Sequence, residues 1–427
     1  MTTNRPAAPP SSAPAFADAA ATDPRRLGWM VGSPPPDHRL IRYQDGSFLR
    51  FPMWRWSFSH WRELVPTVNV ARGRGAESAL PRAEREDLDA VRFMPLGASV
   101  PMSWAESLAA NYTDGIVVLC RGRIVYERYL GALTPDRPHI AFSVTKSFFG
   151  IIAAMLVAEG RLDDGAAVAR YLPELSGSGF ADATVAQVLD MTTALHHSEQ
   201  YDNPASDFTD YARATGLVPR PAGYAGAPTT YAYLATVARS GEHGAAFAYR
   251  SINTDVVGWL VARVTGAPLH ETLRERLWSP LGMEGDAYLQ VDSIGTPLVA
   301  VALNARLRDL ARFGEMLRLD GRFNDRQVVP AAVVADLRRG GSREAFAHAG
   351  YQTLPGWSYH RQWWLAHNDH GAFMARGIHG QAIYVDPQAE MVIARFASHP
   401  LASNVHLDPT SLPAYHALAR HLLAHPH

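Results

Sequence analysis

Two reactive side chains are scarce in this 427-residue chain, which contains one cysteine and a single lysine. One cysteine excludes an intramolecular disulfide. Cys120 lies in the apolar run GIVVLC, which predicts a buried thiol on a strand rather than a reactive one. The longest apolar run, around residues 148–157, is far shorter than the roughly 20 residues of a membrane-spanning helix. The opening stretch MTTNRPAAPPSSAPAF lacks the apolar core of a signal peptide, so we expect a cytoplasmic protein.

An excess of charge of either sign is also missing. The formal net charge is -1, from 40 basic and 41 acidic residues. Such a balance gives no reason to expect binding to nucleic acid or to an anionic membrane. We therefore expect a small-molecule substrate as the partner, with no nucleic acid and no membrane, and we leave a homodimer open.

The scarcity of lysine points to a specific position. Of the 40 basic residues only Lys146 is a lysine, and the others are arginines. Arginine can replace lysine wherever a surface charge is sufficient, but guanidinium cannot release its proton in a protein. Chance survival of a surface lysine is the alternative explanation. The pattern favours a site at which an amine must lose its proton.

Hydrophobic periodicity predicts paired strands near both ends of the chain and helices between them. Residues 115–129 form a predicted hairpin around Arg121-Gly122, and residues 380–397 form a second strand pair. Helical spacing is predicted over residues 143–159, 253–266, 306–319 and 411–425. The aromatic stretch 51–66 is expected to pack across the body as an arm or an interface, with core packing favoured over a ligand site.

These elements predict an α/β (α+β) fold in which both chain ends contribute to one antiparallel sheet flanked by helices. Residues 1–25, rich in Pro, Ala and Ser, are expected to be a disordered tail. Residues 26–150 and 280–427 would form a discontinuous α/β lobe, with residues 151–279 inserted as a mainly helical lobe. A site is expected in the cleft between the lobes.

The segment Ser143-Val144-Thr145-Lys146 opens the first long predicted helix. Residues at i and i+3 share one helix face, so the Ser143 hydroxyl and the Lys146 amine should meet. A serine hydroxyl needs an adjacent base, and lysine serves as one when burial or a nearby positive charge lowers its pKa. The helix N-terminus also directs backbone N–H groups outward, as an oxyanion site requires. The spacing predicts Ser143 as nucleophile and Lys146 as base.

Two further segments carry candidate site residues. Tyr249 opens YRSIN ahead of a helix and could relay a proton, while Asn253 in the same motif fits either the site or a helix N-cap. In RGIHGQAIYV, Gly377 permits close backbone approach and the Ile378 N–H could complete an oxyanion site. His379 suggests a Ser-His-Asp alternative, which we disfavour because Lys146 already supplies a base and no G-x-S-x-G motif is present.

Metal dependence is not expected from this sequence. The adjacent pair His196-His197 would point in opposite directions on any regular element. No H-E-x-x-H or spaced Cys/His set is present. We therefore expect neither a metal nor another cofactor.

Several motifs together resemble the penicillin-recognising serine hydrolases, which include class C β-lactamases, DD-peptidases and related esterases. The motifs are SVTK, YRSIN, GRLDDGAAVARYLPEL, TVAQVLDMTTAL and RLRDLARFG. Within this group the chain is most similar to the 6-aminohexanoate-dimer hydrolases, through AFSVTKS, QYDNPASD, the SINTDV to RVTG helix, GGSREA, YHRQWW and GIHGQAIYVDP. These stretches run from about residue 50 to about residue 400.

The resemblance implies a β-lactamase/DD-peptidase-like fold and an acyl-enzyme mechanism without a cofactor, acting on amides or esters. It assigns catalytic roles to Ser143, Lys146 and Tyr249, an amide-nitrogen contact to Tyr201 and the oxyanion strand position to Ile378. We also group Gly377 and His379 with the substrate-binding and oxyanion residues. The alternatives are a carboxylesterase with little amidase activity and a non-catalytic binding protein of the same fold.

Three departures from the wider pattern bear on the substrate. Arg376-Gly377-Ile378 stands where β-lactamases carry K-T-G, which argues against recognition of a β-lactam carboxylate. Ser251 replaces the asparagine of the tyrosine motif. Residues 300–302 read AVA where relatives commonly carry paired glycines, so the shape of the pocket should differ.

Overall fold

The computed structural model describes residues 16–426, which contain fourteen α-helices and fifteen strands. The helices are α1 (Pro24–Leu27), α2 (Trp54–Ser57), α3 (Trp104–Ala110), α4 (Val144–Ala158), α5 (Val168–Tyr171), α6 (Val185–Leu189), α7 (Asp207–Thr215), α8 (Thr230–Leu234), α9 (Ser251–Thr265), α10 (Leu269–Leu273), α11 (Leu307–Arg318), α12 (Ala331–Arg339), α13 (Arg343–Ala347) and α14 (Asp408–Ala424). The strands are β1 (Thr67–Val70), β2 (Arg92–Phe93), β3 (Met102–Ser103), β4 (Thr113–Cys120), β5 (Arg123–Tyr129), β6 (His139–Ile140), β7 (Ala287–Gln290), β8 (Leu303–Ala305), β9 (Arg322–Phe323), β10 (Arg326–Gln327), β11 (Ser358–His360), β12 (Trp363–Leu365), β13 (Phe373–Gly377), β14 (Gln381–Asp386) and β15 (Met391–Ala397).

The main sheet joins the two parts of the chain that the sequence predicted would pair. Its seven strands run in the order β11-β12-β13-β14-β15-β4-β5, and every neighbouring pair is antiparallel. Val117 of β4 pairs with Ala394 of β15, so a strand from the first third of the chain lies against one near its end. The predicted antiparallel sheet with flanking helices is confirmed.

The hairpin between β4 and β5 turns at the two residues expected from the sequence. Arg121 has φ 52° and Gly122 has φ 74°, the left-handed pair that a tight two-residue hairpin turn requires. Cys120 ends β4 beside this turn, where its side chain is half-buried. The strand position of the thiol was predicted correctly, but its full burial was not, because it lies at the end of the strand rather than at its centre.

The helix that carries the S-x-x-K motif runs through the interior. Every residue of α4 from Val144 to Leu156 is buried, as expected of a helix that is apolar on nearly all faces. Gly150 allows another chain segment to pass close by, since a β-carbon there would lie 2.3 Å from the Arg361 carbonyl oxygen. The helix ends before Gly160, whose φ of 68° suits the predicted stop.

Between residues 151 and 279 the regular secondary structure is helical, from the body of α4 through α10. A second sheet of four strands, in the order β1-β7-β8-β6, takes β1 and β6 from before that segment and β7 and β8 from after it. The division into two lobes with the expected boundaries stays a prediction. None of the helices within residues 16–426 is both long and apolar enough to cross a membrane.

The aromatic stretch 51–66 belongs to the core. Phe58 and Trp61 are fully buried, and the Phe58 ring lies 4.9 Å from that of Phe142, beside the nucleophile position. The Phe58 carbonyl also accepts a hydrogen bond from the Ile140 N–H at 2.8 Å, which ties this stretch to β6. The stretch therefore packs in the core, the alternative that was favoured over a ligand site.

The expected N-terminal tail divides into two parts. Residues 1–15 lie outside the described residues. Residues 16–25 have defined contacts with the body: Thr22 is buried, and its hydroxyl accepts a hydrogen bond from the buried Arg55 guanidinium at 2.8 Å. This second part was assigned wrongly to a disordered tail, because a buried arginine supplies partners that the composition of the segment does not reveal.

Candidate active site

The four-stranded sheet, called the small sheet below, sets the position of Ser143. Ile140 of β6 pairs with Asn304 of β8, and the Ala141 N–H donates to the Leu303 carbonyl at 2.8 Å. Phe142 then takes a left-handed conformation with φ 43°, which is uncommon for a bulky residue and concentrates at functional sites. Ser143 follows as the N-cap of α4 and is 6% exposed.

Lys146 lies one helical turn further on, at the centre of a hydrogen-bonded cluster. Its Nζ is 3.0 Å from the Ser143 Oγ, 3.0 Å from the Ser251 Oγ and 2.6 Å from the Ala300 carbonyl oxygen. Burial lowers the pKa of this amine to about 8, against the opposing charges of Glu199 and Asp255. Desolvation is the largest cause of the lowered pKa. The sequence argument had expected the helix N-terminus to contribute as well.

Tyr249 also reaches the nucleophile. Its ring centroid lies 5.3 Å from the Lys146 Nζ, and Ser143 is near enough to the Tyr249 hydroxyl to influence its pKa. Burial raises the pKa of Tyr249 far above its ordinary value, although the contact with Ser143 partly opposes this rise. The tyrosine is therefore held as a neutral phenol that can donate a proton, while the lysine is the group whose pKa approaches neutrality.

Glu199 is a site residue that sequence reasoning missed. Its side chain is 5% exposed, its Oε1 contacts the Ser251 Oγ and its Oε2 accepts from the Ser251 N–H at 3.0 Å. The His197 Nε2 lies 3.3 Å from the same Oε2. The only available signal was its place two residues before Tyr201, because the contacts that matter come from α9, about fifty positions later in the chain.

Asn253 is part of α9 rather than its N-cap. The helix begins at Ser251 with Arg250 as N-cap, so Asn253 lies in the first turn. Its side-chain oxygen accepts from the Thr193 hydroxyl at 2.7 Å, and the residue is fully buried. The N-cap alternative was wrong because α9 starts at Ser251, three residues before the start that an Asn253 N-cap would require.

The end of β13 approaches the start of α4 closely. A β-carbon on Gly377 would lie 2.6 Å from the Ala141 carbonyl oxygen and 3.1 Å from the Ser143 nitrogen. Only glycine permits this approach, because any side chain would meet backbone atoms. Ile378 is the next residue and is partly exposed. The geometry thus brings Gly377, the residue before the predicted oxyanion position, close to the Ser143 nitrogen.

His379 lies in an aromatic environment rather than against the nucleophile. Its ring centroid is 4.7 Å from that of Trp54 and 5.2 Å from that of Phe58, and it is 6% exposed. Its Nδ1 bonds the His399 carbonyl at 2.7 Å, and burial lowers the pKa of the ring to about 4. Among the described residues its hydrogen-bond partner is thus His399 and not Ser143, which argues against a Ser-His-Asp arrangement. The grouping of His379 with substrate-binding residues finds no support in these contacts.

Tyr201 lies at the same carboxylate as Ser251. Its hydroxyl donates to the Glu199 Oε1 at 3.4 Å, and its ring packs edge-on against Phe208 with centroids 4.8 Å apart. Burial raises the pKa of Tyr201 well above its ordinary value, and the nearby Glu199, Tyr249 and Tyr351 add to this rise. Tyr201 is therefore near enough to Tyr249 for the two to interact electrostatically, and its contact with a substrate amide stays a prediction.

No group of three or more His, Cys, Asp or Glu side chains within residues 16–426 is arranged to hold a metal ion. His197 is buried beside Glu199, whereas His196 is exposed. The two adjacent histidines thus face different surroundings, as their spacing predicted.

A serine and a buried amine at the start of one helix, with a neutral tyrosine beside them, on this fold, define a serine hydrolase of the S-x-x-K type. Comparison with known proteins agrees with that class. Residues 106–410 match the family described as Beta-lactamase. The chain belongs to the Beta-lactamase family, in the branch that contains the 6-aminohexanoate-dimer hydrolases.

Individual relatives support this assignment. The chain is 36% identical over 355 residues to the 6-aminohexanoate-dimer hydrolase of Paenarthrobacter ureafaciens, which covers 83% of this chain and 88% of that protein. A solved structure from Bacillus anthracis, described provisionally as a 6-aminohexanoate-dimer hydrolase, is similar with a TM-score of 0.83 and 31% identity, over 92% of this chain and all of that one. A family VIII carboxylesterase shares the fold, with a TM-score of 0.55 and 17% identity over 74% of this chain and 96% of that one.

Proposed function

We propose that this enzyme hydrolyses amide and ester bonds of small linear substrates through an acyl-enzyme on Ser143. The observation that carries the proposal is the 3.0 Å contact between the Ser143 Oγ and the Lys146 Nζ, at an amine that is 1% exposed. Burial lowers the pKa of Lys146 to about 8, so a useful fraction of it is neutral near physiological pH.

In the proposed acylation, neutral Lys146 takes the proton of the Ser143 hydroxyl as the Oγ bonds to the substrate carbonyl carbon. The carbonyl oxygen becomes an oxyanion, which the N–H groups of Ser143 and Ile378 stabilise. The bond to the leaving group then breaks as its nitrogen or oxygen receives a proton from Lys146 or Tyr249. Water hydrolyses the acyl-enzyme by the same transfers in reverse and restores Ser143.

Tyr201 supports amides as part of the substrate class. Its single hydroxyl proton is directed at the Glu199 Oε1, which leaves an oxygen lone pair free to accept from another donor. A substrate amide N–H is such a donor, whereas an ester has none to offer. The relative from Paenarthrobacter ureafaciens is named for a linear 6-aminohexanoate dimer, and we extend that class of linear amides, together with short carboxylesters, to this chain.

The test combines a covalent probe with a substrate panel. Wild-type enzyme should be labelled by an active-site fluorophosphonate and should turn over both linear ω-amino-acid dimers and short nitrophenyl esters. Ser143→Ala should abolish labelling and turnover while the melting temperature stays normal. More than a few per cent of residual activity in that variant would contradict the proposal. Esterase activity without measurable amidase would favour the carboxylesterase alternative, and neither labelling nor turnover in wild type would favour a binding protein.

Two further expectations are proposed on the sequence alone. A cytoplasmic location is proposed, and cell fractionation would test it. The oligomeric state was left open between monomer and homodimer, and sedimentation velocity would distinguish them.

A further inference from the structure

Ser251 connects the catalytic amine to a buried carboxylate. Its Oγ lies 3.0 Å from the Lys146 Nζ and also contacts the Glu199 Oε1. The backbone N–H of Ser251 donates to the other oxygen of the same carboxylate, Glu199 Oε2, at 3.0 Å. Glu199 thus faces two donors of one residue, and each of its oxygens receives one of them.

Glu199 acts as an acceptor only. Burial alone would favour its neutral form, but hydrogen bonding and charge from His197, the charge of Lys146 and the Ser251 hydroxyl together lower the pKa of this carboxyl. An ionised carboxylate has no proton to give. The single hydroxyl proton of Ser251 must therefore point to Glu199, so Ser251 can offer Lys146 nothing but an oxygen lone pair.

A proton inventory then determines where the amine lone pair points. A neutral lysine amine has two N–H bonds and one lone pair. The Ala300 carbonyl, 2.6 Å from the Nζ, can only accept, and Ser251 is held as an acceptor too. Both N–H bonds are thereby occupied, and the remaining direction at the nitrogen is toward the Ser143 hydroxyl at 3.0 Å.

We propose that Glu199 is a positioning residue: by holding the Ser251 hydroxyl as an acceptor, it directs the lone pair of neutral Lys146 at the proton of Ser143. The proposal rests on the proposed function, because it assumes Ser143 as nucleophile and Lys146 as base. Glu199 does not contact the reacting hydroxyl, and it acts on Lys146 through Ser251. Its contact with the Tyr201 hydroxyl concerns amide substrates and is avoided by measuring an ester.

The substitution Glu199→Gln tests this orientation with little change in shape. A carboxamide presents one acceptor and one donor to the two donors of Ser251. The backbone N–H cannot turn away, so it keeps the amide oxygen, and the amide NH2 then faces the Ser251 Oγ. The Ser251 proton turns toward Lys146 and competes with Ser143 for the lone pair. The variant should retain its fold, but Lys146 should be less able to accept the proton of Ser143.

The decisive measurement compares kcat/KM of wild type, Glu199→Gln, Ser251→Ala and the double variant on one nitrophenyl ester. Glu199→Gln should lose about tenfold or more. Ser251→Ala should lower activity in the wild-type background. It should raise activity at least about threefold in the Glu199→Gln background, because it removes the competing donor. A purely structural role for Glu199 predicts further loss in the double variant.

Controls separate the possible failures. Glu242→Gln removes an exposed carboxylate and should leave kcat/KM unchanged. Glu199→Ala also frees the Ser251 proton, so it carries the same comparison should the glutamine variant not fold. No rise on adding Ser251→Ala, or a loss below twofold in Glu199→Gln, would overturn the positioning role. Fluorophosphonate labelling that survives Ser143→Ala would instead overturn the proposed function on which it rests.

Discussion

At the scale of single residues, the site depends on one amine whose pKa is lowered by burial. Lys146 is 1% exposed and touches Ser143, Ser251 and the Ala300 carbonyl, so water cannot solvate its charged form. Two nearby carboxylates, Glu199 and Asp255, oppose this effect, and burial raises the pKa of Asp255 itself. The balance leaves the pKa of Lys146 at about 8.

The rate should therefore rise with pH. The base must be neutral, so kcat/KM falls about tenfold per pH unit below about 8, where Lys146 is protonated, and levels off above it. The measurement is a pH profile of kcat/KM on a nitrophenyl ester.

Lys146→Arg should lower kcat/KM about 10²-fold or more, nearly as much as Lys146→Ala, because guanidinium keeps its proton. Substantial activity in the arginine variant would make Lys146 a structural charge.

Tyr201 should separate amides from esters. Tyr201→Phe keeps the ring and removes the hydroxyl that faces Glu199. We expect kcat/KM on a linear amide to fall about tenfold or more, roughly 1.4 kcal/mol, while a nitrophenyl ester reacts almost as before. Tyr43→Phe, which removes a hydroxyl bonded to the Gly216 carbonyl instead, is the matched control. Equal losses on both substrates would make Tyr201 a packing residue.

At the scale of elements, the contact between β13 and the start of α4 decides whether the two proposed oxyanion donors face one point. Gly377 is the last residue of β13, and its missing side chain lets that strand reach the segment from Ala141 to Ser143. On the other side of this contact, the left-handed conformation of Phe142 turns the chain just before α4. Both features lie outside the regular part of their elements.

Gly377→Ala should damage activity more than stability. The new β-carbon would meet the Ala141 carbonyl oxygen at 2.6 Å, so β13 and α4 must move apart by several tenths of an ångström. We expect kcat to fall about tenfold or more, since loss of one oxyanion donor costs about 10²-fold or more in rate. Gly177→Ala is the control, because no atom lies within 4 Å of its β-carbon position. Unchanged kcat in Gly377→Ala would show that this end of β13 has no part in catalysis.

At the scale of the whole molecule, one buried arginine joins segments from both ends of the chain. The Arg55 guanidinium lies 3.4 Å from the Asp114 carboxylate of β4, and both side chains are 3% exposed. It also donates to the Ser398 hydroxyl at 3.1 Å, just after β15, and to the Thr22 hydroxyl at 2.8 Å. The N-terminal segment is thus fastened to the main sheet through one side chain.

Arg55→Ala should destabilise the whole fold. Removing one partner of a buried ion pair leaves the other charge without compensation, which costs about 3–5 kcal/mol of the free energy of unfolding. Chemical denaturation monitored by circular dichroism would measure the loss. Arg42→Ala breaks an exposed pair with Asp37, at 3.8 Å, and should cost less than about 1 kcal/mol. Equal effects of the two substitutions would contradict the proposed fastening.

Local spacing and composition were enough to find the motif that the site is built on. Ser143 and Lys146 are three positions apart on one helix, so helical periodicity alone brings them together, and a lone lysine among arginines marks the amine. The hairpin at Arg121-Gly122 and the strand pair around β14 and β15 follow equally from local pattern. Short-range geometry is a property of the sequence, because few backbone conformations satisfy it.

The partners of that motif were decided by the tertiary structure. Ser251 is 105 positions from Lys146 and Ala300 is 154 positions away, while Glu199 reaches Ser251 across 52 positions. No local periodicity relates such distances. Each contact exists because packing of α9 and the small sheet against α4 removes water from one point, and that same removal sets the pKa of Lys146. The sequence determined which amine is the candidate base, whereas only the folded chain decided that burial lowers its pKa and which groups surround it.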